Sequence, residues 1–132
     1  MRLTGKNKSL LQDIKKNRWE AVKKLNKERK KTIVLDILEL QGSYALDNAS
    51  YLFDILSVGT RLILCEDEKA PSKDMLSAAT EKGNIAGFLP AGISLFIRYL
   101  LKREIEVFCY VEQTDFTNEM LTIIASLCLE DY

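Results

Sequence analysis

The sequence predicts a single α/β domain over residues 1–132: a three-layer α/β/α sandwich with one central sheet of about four strands. Three observations carry that expectation. Apolar residues recur alternately at helical and at strand spacing, which gives the order α-β-α-β-α-β-α-β-α. Turn-forming residues, among them Gly59, Gly83, Pro90 and Gly92, fall between those runs. The length of 132 residues suits one domain with one buried core.

Each element follows from its residues. From Ser9 to Lys31, Leu10, Leu11, Ile14, Trp19, Val22 and Leu25 return every three or four positions among lysines, the pattern of an amphipathic helix capped by Ser9. Thr32 to Leu40 starts rich in β-branched residues and reads as a buried strand ending near Gln41-Gly42-Ser43, with a mixed period that leaves room for some helix. Asn48 or Ser50 caps a short helix through Tyr51, Leu52, Phe53, Ile55 and Leu56, and Arg61 to Cys65 forms a strand. After the loop from Glu66 to Pro71, Ser72 opens a helix carrying Met75, Leu76, Ala78 and Ala79, and Ile85 to Leu89 forms a short strand. Ile93 to Lys102 follows the Pro90 turn as a helix. Glu104 to Glu112 alternates Ile105, Val107, Cys109 and Val111 on one face, as a strand does. Thr114 or Asp115 caps a last helix with a broad apolar stripe of Met120, Leu121, Ile123, Ile124, Leu127 and Cys128.

A net charge of zero conceals a separation of charge. Residues 1–31 carry twelve Lys or Arg against Asp13, Glu20 and Glu28, a balance of +9, whereas residues 32–132 carry seven against sixteen, a balance of −9. The domain thus divides into a basic amphipathic N-terminal helix, 1–31, and an acidic body, 32–132. Such a helix either holds phosphates or docks by its apolar face with its lysines in solvent, and an acidic body argues against coating nucleic acid with the whole surface. No apolar tract is long enough to span a bilayer, so no membrane partner is expected. The N-terminus lacks the apolar core and cleavage site of a secretory signal, which predicts an intracellular protein of cytoplasm or nucleus. With no histidine and no CxxC spacing among Cys65, Cys109 and Cys128, no metal site is expected, and Cys65 and Cys109 read as small buried hydrophobes.

No catalytic pattern emerges. G-x-S-x-G, a histidine base, a P-loop and G-x-G-x-x-G are all absent, so the expectation is a protein that is not an enzyme and needs no cofactor. Glu66-Asp67-Glu68 at a strand end could bind magnesium, although a solvated loop is the commoner meaning of such a run. Lys6 and Lys8, and the basic run at 27–31, lack the Gly-rich nest of a specific phosphate site. Trp19 and Tyr51 could stack on bases, or could pack in the core.

From Asn48 to Tyr132 the arrangement resembles the kink-turn RNA-binding superfamily that includes the archaeal ribosomal protein L-seven-Ae. The stations are Gly59, Arg61 to Cys65, Asp67, Pro71, Glu81 to Ile85, Pro90 to Leu95, Glu104 to Glu112, and a C-terminal helix from Thr117 to Leu129. Asn48-Ala49-Ser50-Tyr51 stands where that family carries its Gly-x-Asn-Glu turn. The resemblance implies an α/β/α fold and a non-catalytic RNA-binding subunit of a ribonucleoprotein, divergent from kink-turn binders, with structured RNA or protein subunits as partners. Lys15, Lys16, Arg18, Lys23 and Lys24 would then contact phosphates, and Asn48, Ser50 and Tyr51 would meet the RNA. The alternative is a protein-interaction adaptor or regulator on the same fold, without RNA binding.

Overall fold

The computed structural model describes residues 5–29, 32–43, 46 and 48–130, with the backbone alone for 5–16. Its elements are α1 (Gly5–Glu28), β1 (Thr32–Glu39), α2 (Ala49–Ile55), β2 (Arg61–Cys65), β3 (Ser77–Ala79), β4 (Ile85–Phe88), α3 (Ala91–Lys102), β5 (Val107–Thr117) and β6 (Met120–Glu130). The six strands form one sheet in the order β1-β6-β5-β2-β3-β4, and every neighbouring pair is antiparallel. The architecture is therefore not the expected three-layer sandwich around about four strands. Hairpins, rather than helical crossovers, connect most neighbours, and they generate antiparallel pairing.

Two expected helices are strands. Residues 123–128 are buried without interruption because β6 lies in mid-sheet with packed residues on both faces, and an unbroken apolar run has the same signature as a buried helix. Thr114 and Asp115, expected as helix caps, are ladder residues of β5. Asn118 and Glu119 take φ of 54° and 62° between the paired Thr117 and Met120, the two left-handed residues of a tight hairpin. The second case is Ser77–Ala79, where alanines suggest helix. Here all three residues are buried, and small side chains let β3 lie close to Ala86 and Gly87 of β4.

The sheet rolls until its two edges meet. Gln41 N–H donates to Phe88 O at 2.7 Å and Phe88 N–H returns a bond to Gln41 O at 2.9 Å, joining the end of β1 to β4. Gly87 makes this approach possible, since a Cβ there would stand 2.6 Å from Ser43 Oγ and 2.7 Å from Leu40 Cβ. Buried Ser43 seals the seam by donating to Ala86 O at 2.7 Å. Inside lie Leu38, Leu62, Val111, Ile123, Ala125 and Leu127, joined by Leu52 of α2, Leu56 just after it and Ile97 of α3. Each fully buried Leu or Ile contributes roughly 1.5–3 kcal/mol. Ser94 ties α3 down by accepting from Leu76 N–H at 3.0 Å and donating to Leu89 O at 3.2 Å.

Helix α1 covers the outer face of β1, β6 and β5. Its helical geometry breaks at Asn17, whose extended backbone (φ −158°) and side-chain oxygen, accepting from Glu20 N–H at 3.3 Å, restart the helix as an N-cap. Ala21, Val22 and Leu25 then pack on Val34, Ile37, Phe108, Ile124 and Cys128. The Asn26 amide pairs with both backbone groups of Val34, at 2.7 and 3.0 Å, where β1 presents its free edge. At the end of the helix, Arg29 Nη2 donates to both oxygens of Glu112, at 2.7 and 2.6 Å, and Ser126 Oγ donates to the same carboxylate. Among the described residues no helix is long and apolar enough to cross a membrane.

Cys109 and Cys128 are buried, and burial pushes both thiols above their ordinary range. Cys65 is exposed, against expectation, because it points from β2 to the outer side, beyond the reach of α1. In the native protein one thiol should therefore react rapidly with an aromatic disulfide reagent and three in denaturant; two or more fast native thiols would contradict this burial. Gly87→Ala should destabilise by about 2–3 kcal/mol through overpacking at the seam, read by thermal unfolding. Arg29→Ala leaves a carboxylate only 5% exposed without its cation and should cost about 3 kcal/mol in urea unfolding, with Arg29→Met/Glu112→Leu recovering most of that stability.

Candidate functional site

A cleft of about 370 Å³ opens where α2, the start of β2 and the β3–β4 hairpin converge. One wall is apolar. Helix α2 buries Ala49 and Leu52, so the opposite positions, Tyr51 and Ile55, face outward and line the cleft with Leu56. Tyr51 is 53% exposed.

The rest of the lining is polar. In the hairpin, Gly83 takes a left-handed φ of 92°, Gly83 N–H donates to Thr80 O at 2.9 Å, and Thr80 N–H donates to Asn84 O at 2.9 Å. This tight turn holds Thr80, Glu81, Lys82 and Asn84 along the cleft. Lys82 is exposed and has no carboxylate partner among the described residues. Thr60 and Arg61 complete the lining where β2 begins. The Arg61 guanidinium lies 3.9 Å from the Phe108 ring centroid and is held by Glu106 and, at 3.4 Å, Glu130. Chemically, the cleft brings together an aromatic ring, a cation with no carboxylate partner among the described residues, a partly neutralised cation, and several neutral hydrogen-bonding groups. A planar ring carrying an anionic group fits that arrangement.

The expected site residues divide between two places. Tyr51 lines the cleft, and Asn48 and Ser50 are exposed at the start of the same helix, with no side-chain cap bond from Asn48. On α1, Lys24 is exposed, Lys23 pairs with Glu20 at 3.0 Å, and Arg18 pairs with Asp36 at 3.0 Å. The side chains of Lys15 and Lys16 lie outside the described residues. Trp19 is exposed, off the docking face of α1, with Lys23 Nζ 6.0 Å from its ring centroid. The two places are linked through β5: Arg29 at the end of α1 lies 5.6 Å from the Tyr110 ring centroid, and Tyr110 is the cross-strand partner of Arg61.

Sequence reasoning missed Thr80, Lys82 and Asn84. The signal was Lys82-Gly83-Asn84 between two short runs of small and apolar residues, which is a hairpin pattern mistaken for the end of a helix. The acidic run plays a structural part: Glu66 accepts from Arg98 at 2.6 and 3.0 Å, and those hydrogen bonds hold its carboxyl below the ordinary range, while Asp67 accepts from Lys69 N–H at 2.7 Å. Among the described residues no three acidic or cysteine side chains gather to hold a metal ion.

No family model matches the chain, and no curated protein matches it. Two solved structures match the chain. One is a protein from Lactobacillus plantarum, 15% identical, with a TM-score of 0.62 over 76% of this chain and 97% of that one. The other is the HIRAN domain of human HLTF, 12% identical, with a TM-score of 0.49 over 76% of this chain and 82% of that one. At 15% identity the first likeness speaks for the fold alone.

Proposed function

We propose that the protein is a non-catalytic RNA-binding subunit that receives an unstacked base in the cleft beside Tyr51. The observation that carries this reading is a cleft of about 370 Å³, large enough for one nucleotide, whose lining brings the exposed Tyr51 together with Lys82. Bases splayed from bulges and loops are stacked on aromatic side chains and hydrogen-bonded at their edges, and Thr60, Thr80 and Asn84 supply such groups. Lys24, Lys27 and Lys82 would hold phosphates without first breaking a salt bridge seen in the fold. Arg18 contributes only after releasing Asp36, and that exposed pair is worth less than about 1 kcal/mol.

Filter retention across a salt series tests the reading, using a stem with a three-nucleotide bulge against an uninterrupted duplex. The bulged RNA should bind more tightly, and Tyr51→Ala should weaken it by about tenfold or more. Lys24→Ala/Lys82→Ala should flatten the slope of log affinity against log salt by roughly 0.7–0.9 for each phosphate left without its lysine. Equal, weak binding of both RNAs that is indifferent to Tyr51→Ala would reject the reading.

A further inference from the structure

Helix α3 is apolar on two sides, and only one of them serves the fold. Ser94 and Ile97 are buried, and Ile93, Leu100 and Leu101 pack against the barrel core. On the other side Leu95, Phe96 and Tyr99 are 71%, 52% and 54% exposed. Scattered exposed apolar residues are ordinary, but three adjoining on one helical face form a patch, which in a folded protein marks a contact surface.

Charge identifies what covers the patch. Residues 32–132 carry sixteen acidic and seven basic residues, yet Ala91 to Arg103 contains none of the acidic ones and three of the basic ones, Arg98, Lys102 and Arg103. Arg98 is engaged by Glu66. Lys102 and Arg103 are exposed one turn beyond Tyr99, and the Arg103 guanidinium sits 4.5 Å from the Tyr99 ring centroid, so the cation lies on the patch itself.

We propose that the outer face of α3 docks an acidic amphipathic helix of a protein partner, whose apolar side chains cover Leu95, Phe96 and Tyr99 while its carboxylates meet Lys102 and Arg103. Anchors at i, i+3, i+4 and i+7 on such a helix match the stripe that α3 presents. The site shares no residue with the Tyr51 cleft and does not depend on RNA binding.

The test uses the full chain and a fluorescein-labelled 18-residue helical peptide with leucines at those spacings and glutamates elsewhere, beside the same peptide with lysines in place of glutamates. The glutamate peptide should bind saturably and at least tenfold more tightly than the lysine peptide. Leu95→Ala/Phe96→Ala should weaken it at least tenfold, and Lys102→Glu/Arg103→Glu should reverse the preference between peptides. All four residues are exposed, so thermal unfolding should be unchanged, and binding of the bulged RNA should be unchanged as well. Absence of saturable binding, equal binding of both peptides, or indifference to the substitutions overturns the proposal. So does binding to anionic vesicles without peptide binding, which would assign the face to a membrane, or a sedimentation shift abolished by Phe96→Ala, which would assign it to a second copy of the chain.

Discussion

Two backbone hydrogen bonds between Gln41 and Phe88 hold this architecture in its closed form. They join the chain just beyond β1 to β4 at one point, while along β1 itself the edge is free and Asn26 covers it at Val34. With them the sheet has an inside, and Leu62, Val111, Ile123 and Leu127 share one enclosed core with α2 and α3. The bridge depends on the lack of a side chain at Gly87 and on the Ser43 hydroxyl that fills the seam. The β3–β4 hairpin at this end of the sheet contributes Thr80, Lys82 and Asn84 to the cleft lining.

The basic helix answers to a second constraint. Its apolar stripe docks on the outer face of the sheet, and docking draws in part of its charge. Arg29 is bound into a buried cluster with Glu112 and Ser126, where its removal would strand a carboxylate. Arg18 pairs with Asp36 at the surface, where the interaction is weak and exchangeable. Lys24 and Lys27 remain in solvent. The imbalance of +9 against −9 along the chain is thus reduced by pairing within the fold, and the charge left over, rather than the total, is what a partner meets.

Helix α3 and helix α2 solve the same packing problem in different ways. Both bury one stripe in the barrel core, and both leave apolar residues outside it. On α2 those residues line a cleft whose remaining lining is polar and cationic, whereas on α3 they stand on an open face that ends in two cations. A concave site suits a small planar group, and an open ridge suits another helix.

Local pattern was enough to find α1, α2, β2, β4, α3 and the first half of β5, and to suggest β1 despite its mixed period, although Ser9, read as the cap of α1, lies inside that helix. The charge separation and the lysines on the helix also came from the sequence alone, since they rest on composition and spacing. Only the tertiary structure decided that Met120–Glu130 and Ser77–Ala79 are strands. Residues buried on both faces carry no period, and alanines accept either backbone, so their state is chosen by the neighbours they pair with across the sheet. The cleft was hidden for the same reason: Thr80, Lys82 and Asn84 reach Tyr51 only once β4 has paired with the end of β1, which joins residues more than 40 positions apart.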